Sequence, residues 1–374
     1  MVLAQRKSGD ALGAEIVSLL RARLLSWYED ARRDLPWRRT SDPYAIWISE
    51  TMLQQTRVDT VIPYYRRFLR EFPTVALLAE APAEQVLALW SGLGYYRRAR
   101  MLHAAAKRIE REHGGSLPSN LEELRRLEGV GAYTAGAVAS IAFGRRAAVV
   151  DGNVARVLAR LFAVEEDIRS ARGSARVWRL AEQLVPHGDG DPGDWNQALM
   201  ELGATVCSPR DPKCESCPVQ KHCQGRARGI AARLPRVASK RPPKAVRRAA
   251  IVLASTGAVL LARRRTDALF GGLWEPPSVD GEMSTLAARL GVDEGALTHV
   301  GEVVHVLSHR RMTVDVARGD LDVARRRRWP LPGPEYDAVE PVAFERLADR
   351  GQATLSRKIL AVANVAARGL RCDK

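Results

Sequence analysis

The stretch LEGVGAYTAGAV, residues 127–138, places Gly129 and Gly131 between two segments with helical patterning. In a helix–hairpin–helix the turn brings backbone N–H groups against a phosphate, and a Cβ in that turn would hold the backbone away. The second helix then points the positive end of its dipole at the anion. An ordinary helix–helix turn with a glycine C-cap is the alternative. Glycines at alternate positions, with Gly136 for close packing inside the second helix, favour a hairpin that binds DNA phosphates.

The charge of the chain agrees with a polyanionic partner. Its 374 residues contain 58 lysines and arginines against 43 aspartates and glutamates, a formal net charge of +15. Such a charge favours nucleic acid or an anionic membrane surface. The membrane is the weaker alternative, because no apolar run reaches spanning length and the start MVLAQRKSGD lacks the apolar segment of a secretory signal. We therefore expect a soluble, monomeric, cytoplasmic protein that is associated with the nucleoid when it binds DNA.

The character of the sequence changes once along the chain. After an N-terminal tail at 1–14, residues 15–225 are rich in alanine, leucine and arginine at helical spacing. Residues 226–248 contain nine basic side chains, no acidic ones and three prolines, which suits an extended, solvated linker. Residues 249–368 show a shorter period and predict a smaller, mixed α/β domain after the all-α domain. Its predicted elements are a hairpin of AAIVLAS and AVLLARR, a helix at 284–290, strands at 298–306 and 312–316, and a final helix.

Four of the five cysteines fall within the seventeen residues CSPRDPKCESCPVQKHC. Cys207, Cys214, Cys217 and Cys223 have the spacing Cys-x6-Cys-x2-Cys-x5-Cys, which in a cytosolic chain favours a metal or a cluster over disulfides. Four thiolates suit a tetrahedral structural zinc. They equally suit an iron–sulfur cubane wrapped by short loops. Cys372 stands apart near the end of the chain and is expected to be a free thiol.

Two carboxylates lie in local contexts that suit catalysis. Glu50 lies in DPYAIWISETMLQQT, a helix predicted to begin with Asp42 as N-cap and Pro43 at its first position. Apolar residues on its face would desolvate the carboxyl and raise its pKa, as a general acid requires. The alternative is a glutamate that solvates a helix edge. Asp151 follows an apolar run and precedes a helix, so its ordinary role would be that of an N-cap.

Six motifs in order carry a resemblance that runs from about residue 19 to 223 and continues more weakly to about 365. They are LPWR (35–38), SETMLQQT (49–56), LWSGLGYYRRAR (89–100), GVGAYTAG (129–136), VVDGNVARVLAR (149–160) and the four-cysteine loop. Together they resemble the MutY family of adenine DNA glycosylases, which remove adenine mispaired with 8-oxoguanine. The resemblance implies a helical pair of lobes, the helix–hairpin–helix glycosylase domain, with a 4Fe–4S cluster at 207–223. In the family that cluster supports DNA binding and is not the catalyst.

The resemblance also implies a mechanism and a set of site residues. Glu50 would protonate N7 of a flipped adenine, opposite 8-oxoguanine or guanine in duplex DNA, and Asp151 would stabilise the oxocarbenium-like sugar. Asn153 and Tyr133 would orient these groups. The adenine pocket would be lined by Arg33, Leu35, Trp37 and Gln197, and the duplex would be contacted by Gln54, Gln55, Thr56, Tyr95, Gly129 and Gly131.

Tyr133 separates two modes of catalysis. In the related bifunctional glycosylases a lysine at this place forms a Schiff base with the sugar and cleaves the strand, which a tyrosine cannot do. The sequence therefore predicts a monofunctional enzyme that leaves an abasic site. An endonuclease III-like lyase of the same fold is one alternative. A redox-sensing iron–sulfur DNA-binding regulator is another, but it leaves Glu50 and Asp151 without a role.

The C-terminal domain carries GGLWEPPS at 271–278, which resembles the strand and turn of Nudix hydrolases. The hydrolytic helix would need a cluster of magnesium-binding carboxylates, and the stretch MSTLAARLGVDEG has none. The resemblance therefore implies a Nudix-like domain that recognises 8-oxoguanine through Ser308 and His309 without hydrolysis. Leu307 stands where the family has an aromatic residue, so a stacking role at 307 is not expected to carry over.

Overall fold

The computed structural model describes residues 12–186, 190–238, 242–322 and 329–365. The chain divides into two compact units. The first unit combines residues 1–69 and 108–240, and the second unit combines residues 70–107 and 241–374. Of the predicted features, Cys372 and most of the tail at 1–14 lie outside the described residues.

The first twelve helices of the described chain precede all of its strands, and the last two helices lie among and after the strands. The helices are α1 (Ala14–Ala31), α2 (Pro43–Leu53), α3 (Val58–Glu71), α4 (Val75–Glu80), α5 (Ala83–Leu89), α6 (Arg97–His113), α7 (Leu121–Arg126), α8 (Ala132–Phe143), α9 (Gly152–Leu161), α10 (Ala171–Leu184), α11 (Pro192–Thr205), α12 (Gln224–Ala227), α13 (Met283–Leu290) and α14 (Thr354–Val362). The strands are β1 (Lys244–Ala254), β2 (Ala258–Arg264), β3 (Trp274–Glu275), β4 (Ser278–Asp280), β5 (Thr298–Val306), β6 (Arg310–Asp320) and β7 (Tyr336–Ala343). The predicted order, a helical domain followed by a smaller α/β domain, is confirmed. Among the described residues no helix has the length and apolar character needed to cross a membrane.

Helix α2 is a buried helix of the first unit. Asp42 is its N-cap and accepts hydrogen bonds from the backbone N–H groups of Tyr44 at 3.0 Å and Ala45 at 3.3 Å. Pro43 occupies the first turn, as the sequence predicts. Every residue from Tyr44 to Met52 is buried, and the helix packs against α8. A glutamate on this helix is therefore a buried glutamate.

The predicted helix–hairpin–helix is formed by α7 and α8. Gly129 has φ +77°, a conformation that side chains rarely adopt. Gly131 is the N-cap of α8, and a Cβ added there would meet open space. A Cβ on Gly136 would lie 2.3 Å from the carbonyl oxygen of Ala148, so this glycine permits close contact between α8 and the segment that precedes α9. The three glycines thus have different roles: Gly129 forms the turn, Gly131 leaves the backbone accessible, and Gly136 permits close packing.

The second unit contains one mixed sheet. The strands run in the order β3-β2-β1-β6-β5, with β4 beside β1 and β7 beside β2, and only β1 and β6 are parallel. Helices α13 and α14 both contact β1, and each contributes to a separate apolar cluster of the sheet. The predicted hairpin, the strand at 298–306, the helix at 284–290 and the final helix are confirmed, whereas the strand predicted at 312–316 extends over all of β6.

Residues 226–248 are more structured than an extended linker. A short 3-10 helix spans Ala231–Arg233, and Leu234 is buried. The backbone N–H of Ala238 donates to Asp167 Oδ2 at 3.0 Å, and β1 already begins at Lys244. The segment is therefore not extended throughout, although most of residues 226–238 are exposed, as a solvated linker would be. The domain boundaries at 225 and 248 stay a prediction.

Candidate active site and cysteine loop

A cavity of about 620 Å³ in the first unit brings most of the predicted site together. It lies among the segment 33–38 and helices α2, α8, α9 and α11. The predicted residues that line it are Arg33, Leu35, Trp37, Glu50, Gln54, Gln55, Thr56, Gly129, Gly131, Tyr133, Asp151, Asn153 and Gln197. Residues separated by more than 160 positions in the sequence thus share one concave surface, which is the usual form of a ligand site.

Glu50 is a buried carboxyl at this cavity. Its side chain comes from α2, and the residue is only 4% exposed. The hydroxyl of Tyr133 donates to Glu50 Oε2 at 2.5 Å. Burial raises the pKa of Glu50 to about 7, the hydrogen bond from Tyr133 opposes this rise, and the charge of Asp151 adds to it. A carboxyl with such a pKa holds a proton near neutral pH, as a general acid must.

Asp151 combines the helix-capping role with a place at the cavity. Its Oδ1 accepts a hydrogen bond from the backbone N–H of Val154 at 2.7 Å, which makes it the N-cap of α9. Its Oδ2 accepts from Asn153 Nδ2 at 3.0 Å. Burial raises the pKa of Asp151, and these two donors oppose the rise because they stabilise the carboxylate. The ordinary capping role and the functional one are therefore compatible.

Arg156 links this aspartate to the cysteines. Its Nη2 donates to Asn153 Oδ1 at 2.8 Å, and its Nε donates to the carbonyl of Cys207 at 2.8 Å. One turn further along α9, Arg160 Nη1 donates to Cys207 Sγ at 3.3 Å. Both arginines are buried. They are not among the residues predicted from the sequence, although two arginines four positions apart on a largely apolar helix are a usable signal.

Two further residues of the cavity were missed, Arg38 and Glu201. Glu201 is 1% exposed and accepts hydrogen bonds from Arg33 Nε at 2.7 Å and Arg38 Nη2 at 2.8 Å. The two guanidinium groups lower the pKa of Glu201 against the effect of its burial. The predicted Trp37 lies nearby in sequence and packs edge-to-face on Tyr65, with ring centroids 5.5 Å apart. One wall of the cavity is therefore held by ion pairs to the buried Glu201 and by an aromatic pair.

The predicted DNA-contacting residues divide between the two units. Gln54 and Gln55 lie at the end of α2, where Gln54 Nε2 donates to Thr134 Oγ1 at 3.1 Å and Gln55 is exposed with φ +59°. Tyr95 belongs to the second unit and is 49% exposed. Ser308 and His309 are also in the second unit, exposed at the turn between β5 and β6.

Two motif residues of the sheet domain, Leu307 and Glu275, have structural contacts within that domain. Leu307 is half-buried and packs against the core of the sheet. Glu275 of the WEPP motif is buried and ion-paired with Arg264 at 2.7 Å, and the hydroxyl of Tyr336 donates to it at 2.6 Å. The side chains of Leu307 and Glu275 therefore stabilise the fold of the sheet domain.

Cys207, Cys214, Cys217 and Cys223 line one small pocket of the first unit, together with Arg160 and other residues. Cys223 Sγ lies 3.4 Å from the carbonyl of Arg160. Within the described ranges no three histidine, cysteine or acidic side chains form a group that could hold a metal ion. The pocket nevertheless places all four thiols around a shared space.

A helix–hairpin–helix beside a cavity with a buried glutamate fits the class of helix–hairpin–helix DNA glycosylases. Comparison with known families agrees, because residues 48–183 match the HhH-GPD superfamily of base excision DNA repair proteins and residues 248–362 match the NUDIX domain. A solved structure of a thermostable thymine-DNA glycosylase is 33% identical, with a TM-score of 0.53, and covers 57% of this chain and 98% of its own.

Two relatives identify the family within this superfamily. The human adenine DNA glycosylase is 41% identical over 365 residues, which cover 80% of this chain and 66% of the human protein. The rat adenine DNA glycosylase is 39% identical over 409 residues, which cover 92% of this chain and 78% of the rat protein. The chain belongs to the adenine DNA glycosylase family, the MutY family. It is accordingly a base excision repair enzyme of the kind that hydrolyses N-glycosyl bonds, with a Nudix-like second domain.

Proposed function

We propose that the protein removes adenine paired with 8-oxoguanine or guanine in duplex DNA and leaves an abasic site. The observation that carries this proposal is Glu50, a buried carboxyl with a raised pKa at a cavity it shares with Asp151. A volume of about 620 Å³ has room for one flipped nucleobase and its sugar.

The chemistry follows from these two carboxyl groups. Adenine is a poor leaving group as an anion, so protonation of its N7 by Glu50 lets it depart neutral. The electron pair of the C1′–N9 bond leaves with the base, and C1′ becomes part of an oxocarbenium-like cation. The Asp151 carboxylate, held by Val154 and Asn153, stabilises that cation until water adds to C1′. In this scheme Asn153 and Tyr133 are positioning residues.

Tyr133 supports the monofunctional mode. A Schiff base with the sugar requires an amine, and the hydroxyl at this position is instead engaged with Glu50. The expected product is therefore an intact strand with an abasic site, without the strand cleavage of a lyase.

Contacts with the duplex are proposed for both units, with the protein acting as a monomer. The α7–α8 hairpin would bind a phosphate through its open backbone at Gly131. Gln54, Gln55, Thr56 and Tyr95 would contact or wedge the duplex at the mispair. Ser308 and His309 would hydrogen-bond 8-oxoguanine, and their exposure at a strand turn leaves them free to do so. Leu307 is committed to the core and would not stack on the lesion.

We propose a 4Fe–4S cluster at Cys207, Cys214, Cys217 and Cys223. Four thiols around one pocket match the donor set of a cubane, and the cationic Arg160 beside Cys207 Sγ suits a negatively charged cluster. When bound, such a cluster would cross-link the loop and hold it in shape for DNA binding. No step of base removal passes through it.

The proposal is tested by single-turnover base release from duplexes with adenine opposite 8-oxoguanine, guanine and thymine. A duplex with thymine opposite guanine serves as control, since the helical fold is also that of a thymine-DNA glycosylase. We expect release of adenine opposite 8-oxoguanine and guanine, with strand breakage only after alkali. Release of thymine instead of adenine, or strand breakage without alkali, would overturn the assignment.

A further inference from the structure

The second unit joins two separate parts of the chain. Residues 70–107 are helical, whereas residues from 241 onward form the sheet and its helices. The two parts meet at residues 91–96, here called the Tyr95 loop, and at residues 350–357. Since the loop carries an exposed aromatic residue, the way it is held bears on function.

Gln352 holds the base of the Tyr95 loop. Its backbone carbonyl accepts hydrogen bonds from Ser91 Oγ at 2.7 Å and from the Tyr96 hydroxyl at 2.9 Å. Its backbone N–H donates to Ser91 Oγ at 3.0 Å, and Arg357 Nη2 donates to the same oxygen at 2.9 Å. Ser91, Tyr96 and Gln352 are all less than 7% exposed, so water competes little for these bonds.

One carbonyl therefore closes both ends of the loop. The Tyr96 hydroxyl also accepts a hydrogen bond from the N–H of Gly92 at 3.1 Å, which ties the two ends to each other. Gly92 and Gly94 have φ values of +106° and +76°, so the tight return depends on their lack of a side chain. The residue that completes this closure lies more than 250 positions further along the chain.

Tyr95 forms the exposed tip of this closed loop. It is 49% exposed and has φ +49°. The guanidinium of Arg98 lies over the ring of Tyr95 at 5.4 Å and over the ring of Trp90 at 5.5 Å. A loop whose two ends are buried and whose tip is aromatic can present that ring to a nucleobase.

Further contacts show that residues 70–107 pack closely against the sheet domain. A Cβ on Gly272 would lie 2.9 Å from Leu87 Cδ1, and a Cβ on Gly351 would lie 3.0 Å from Leu87 Cβ. Glu84 Oε1 accepts hydrogen bonds from Trp274 Nε1 and Arg350 Nη1, both at 2.6 Å. Helix α5, which precedes the Tyr95 loop, is thus attached to the sheet domain by close packing, and the loop itself by hydrogen bonds.

We infer that residues 350–357 of the sheet domain position Tyr95 as a wedge, so that this domain supports base flipping at every mispair in addition to reading 8-oxoguanine. The inference rests on the proposed function, which supplies the wedging role of Tyr95. A loop held in one conformation inserts its ring without first losing conformational freedom, whereas a loosened loop must be ordered when DNA binds. Loosening it therefore slows excision opposite guanine and opposite 8-oxoguanine by the same factor.

The test uses Tyr96→Phe and Ser91→Ala in the full-length protein. Each variant removes one hydroxyl bonded to Gln352, and we expect base release to fall by about threefold to tenfold for both mispairs. In a Tyr95→Ala background the same substitutions should have no further effect, because coupled residues lose their separate contributions. Tyr336→Phe is the matched control, since it removes a buried hydroxyl that is hydrogen-bonded to Glu275 and Arg264 of the sheet. It should lower the melting temperature and leave base release below that temperature unchanged.

A binding measurement distinguishes positioning from a general loss of structure. With 2-aminopurine beside the mispaired adenine, and Glu50→Gln present to prevent excision, fluorescence reports unstacking of the duplex. We expect Tyr96→Phe and Tyr95→Ala to reduce this signal and Tyr336→Phe to preserve it. If Tyr95→Ala slows excision but Tyr96→Phe and Ser91→Ala do not, or if their effects multiply with that of Tyr95→Ala, the inference is wrong. If the wild-type protein releases no adenine, or Tyr95→Ala has no effect on excision, the proposed function or its wedge fails instead.

Discussion

Tyr133→Phe removes one hydroxyl from the candidate active site and keeps the aromatic ring. That hydroxyl donates to Glu50 Oε2 at 2.5 Å and thereby lowers the pKa of Glu50, which burial raises to about 7. A hydrogen bond to a charged group contributes about 1.5–3 kcal/mol, and one pKa unit corresponds to about 1.4 kcal/mol. Loss of the hydroxyl should therefore raise the pKa of Glu50 by about 1–2 units.

The sign of the effect on the reaction follows from the acid role of Glu50. Excision needs the protonated carboxyl, so the rate falls as pH rises through its pKa. In Tyr133→Phe this fall should begin about 1–2 pH units higher than in the wild type, while the plateau on the acid side is lower because Glu50 has lost an orienting contact.

The measurement is the single-turnover rate of adenine release across a pH series, with one duplex and constant ionic strength. Tyr44→Phe is the matched control, because Tyr44 is buried in the same helix and does not line the cavity. It should keep the wild-type profile. A Tyr133→Phe profile that stays in place or moves to lower pH would refute the argument that this hydroxyl stabilises ionised Glu50.

Four other predictions concern separate features. Glu50→Gln should lower excision by about a hundredfold or more while binding of the mispair persists, and a near-normal single-turnover rate would remove Glu50 from the acid role. The purified protein should be brown, with nearly equal amounts of iron and sulfide by chemical analysis, and zinc without visible absorbance would contradict the cluster. Ser308→Ala with His309→Ala should lower the preference for 8-oxoguanine over guanine by about tenfold to a hundredfold at fixed salt, and equal loss for both mispairs would contradict a reading role. Gly136→Ala should lower the free energy of unfolding by about 1–3 kcal/mol in thermal unfolding, because its Cβ would lie 2.3 Å from a carbonyl oxygen. Gly131→Ala, whose Cβ would meet open space, should unfold like the wild type but bind duplex more weakly. Equal melting temperatures for the two glycine variants would contradict this reasoning.

Features set by neighbouring residues were predictable from the sequence. Asp42 and Asp151 cap helices through backbone groups two or three positions away, and Pro43 suits the first helical turn through its fixed φ. The strand at 298–306 is recognisable because its turn signals and β-branched residues are contiguous. These short-range rules gave the order of the domains and the helix that carries Glu50.

Features that depend on distant partners were not predictable in the same way. Glu201 meets Arg33 across 168 positions, and Arg156 meets the carbonyl of Cys207 across 51. In the sequence each of these side chains looks like an ordinary charged residue until its partner is known. The family resemblance predicted the pocket residues because a family's motifs already combine residues that are distant in sequence. It did not indicate that Arg156 or Glu201 holds site residues in place.

The association of residues 70–107 with the sheet has a consequence for experiments that cut the chain. A break near Ala238 separates the two domains as a sequence defines them, yet it would also strip Leu87 and the Tyr95 loop of the surface they pack on. The shortened protein would then lack the proposed reader of the lesion. It would also expose the Leu87 side chain and loosen the Tyr95 loop. A loss of activity in such a fragment has two independent origins, and point substitutions at Ser308 or Tyr96 are needed to tell them apart.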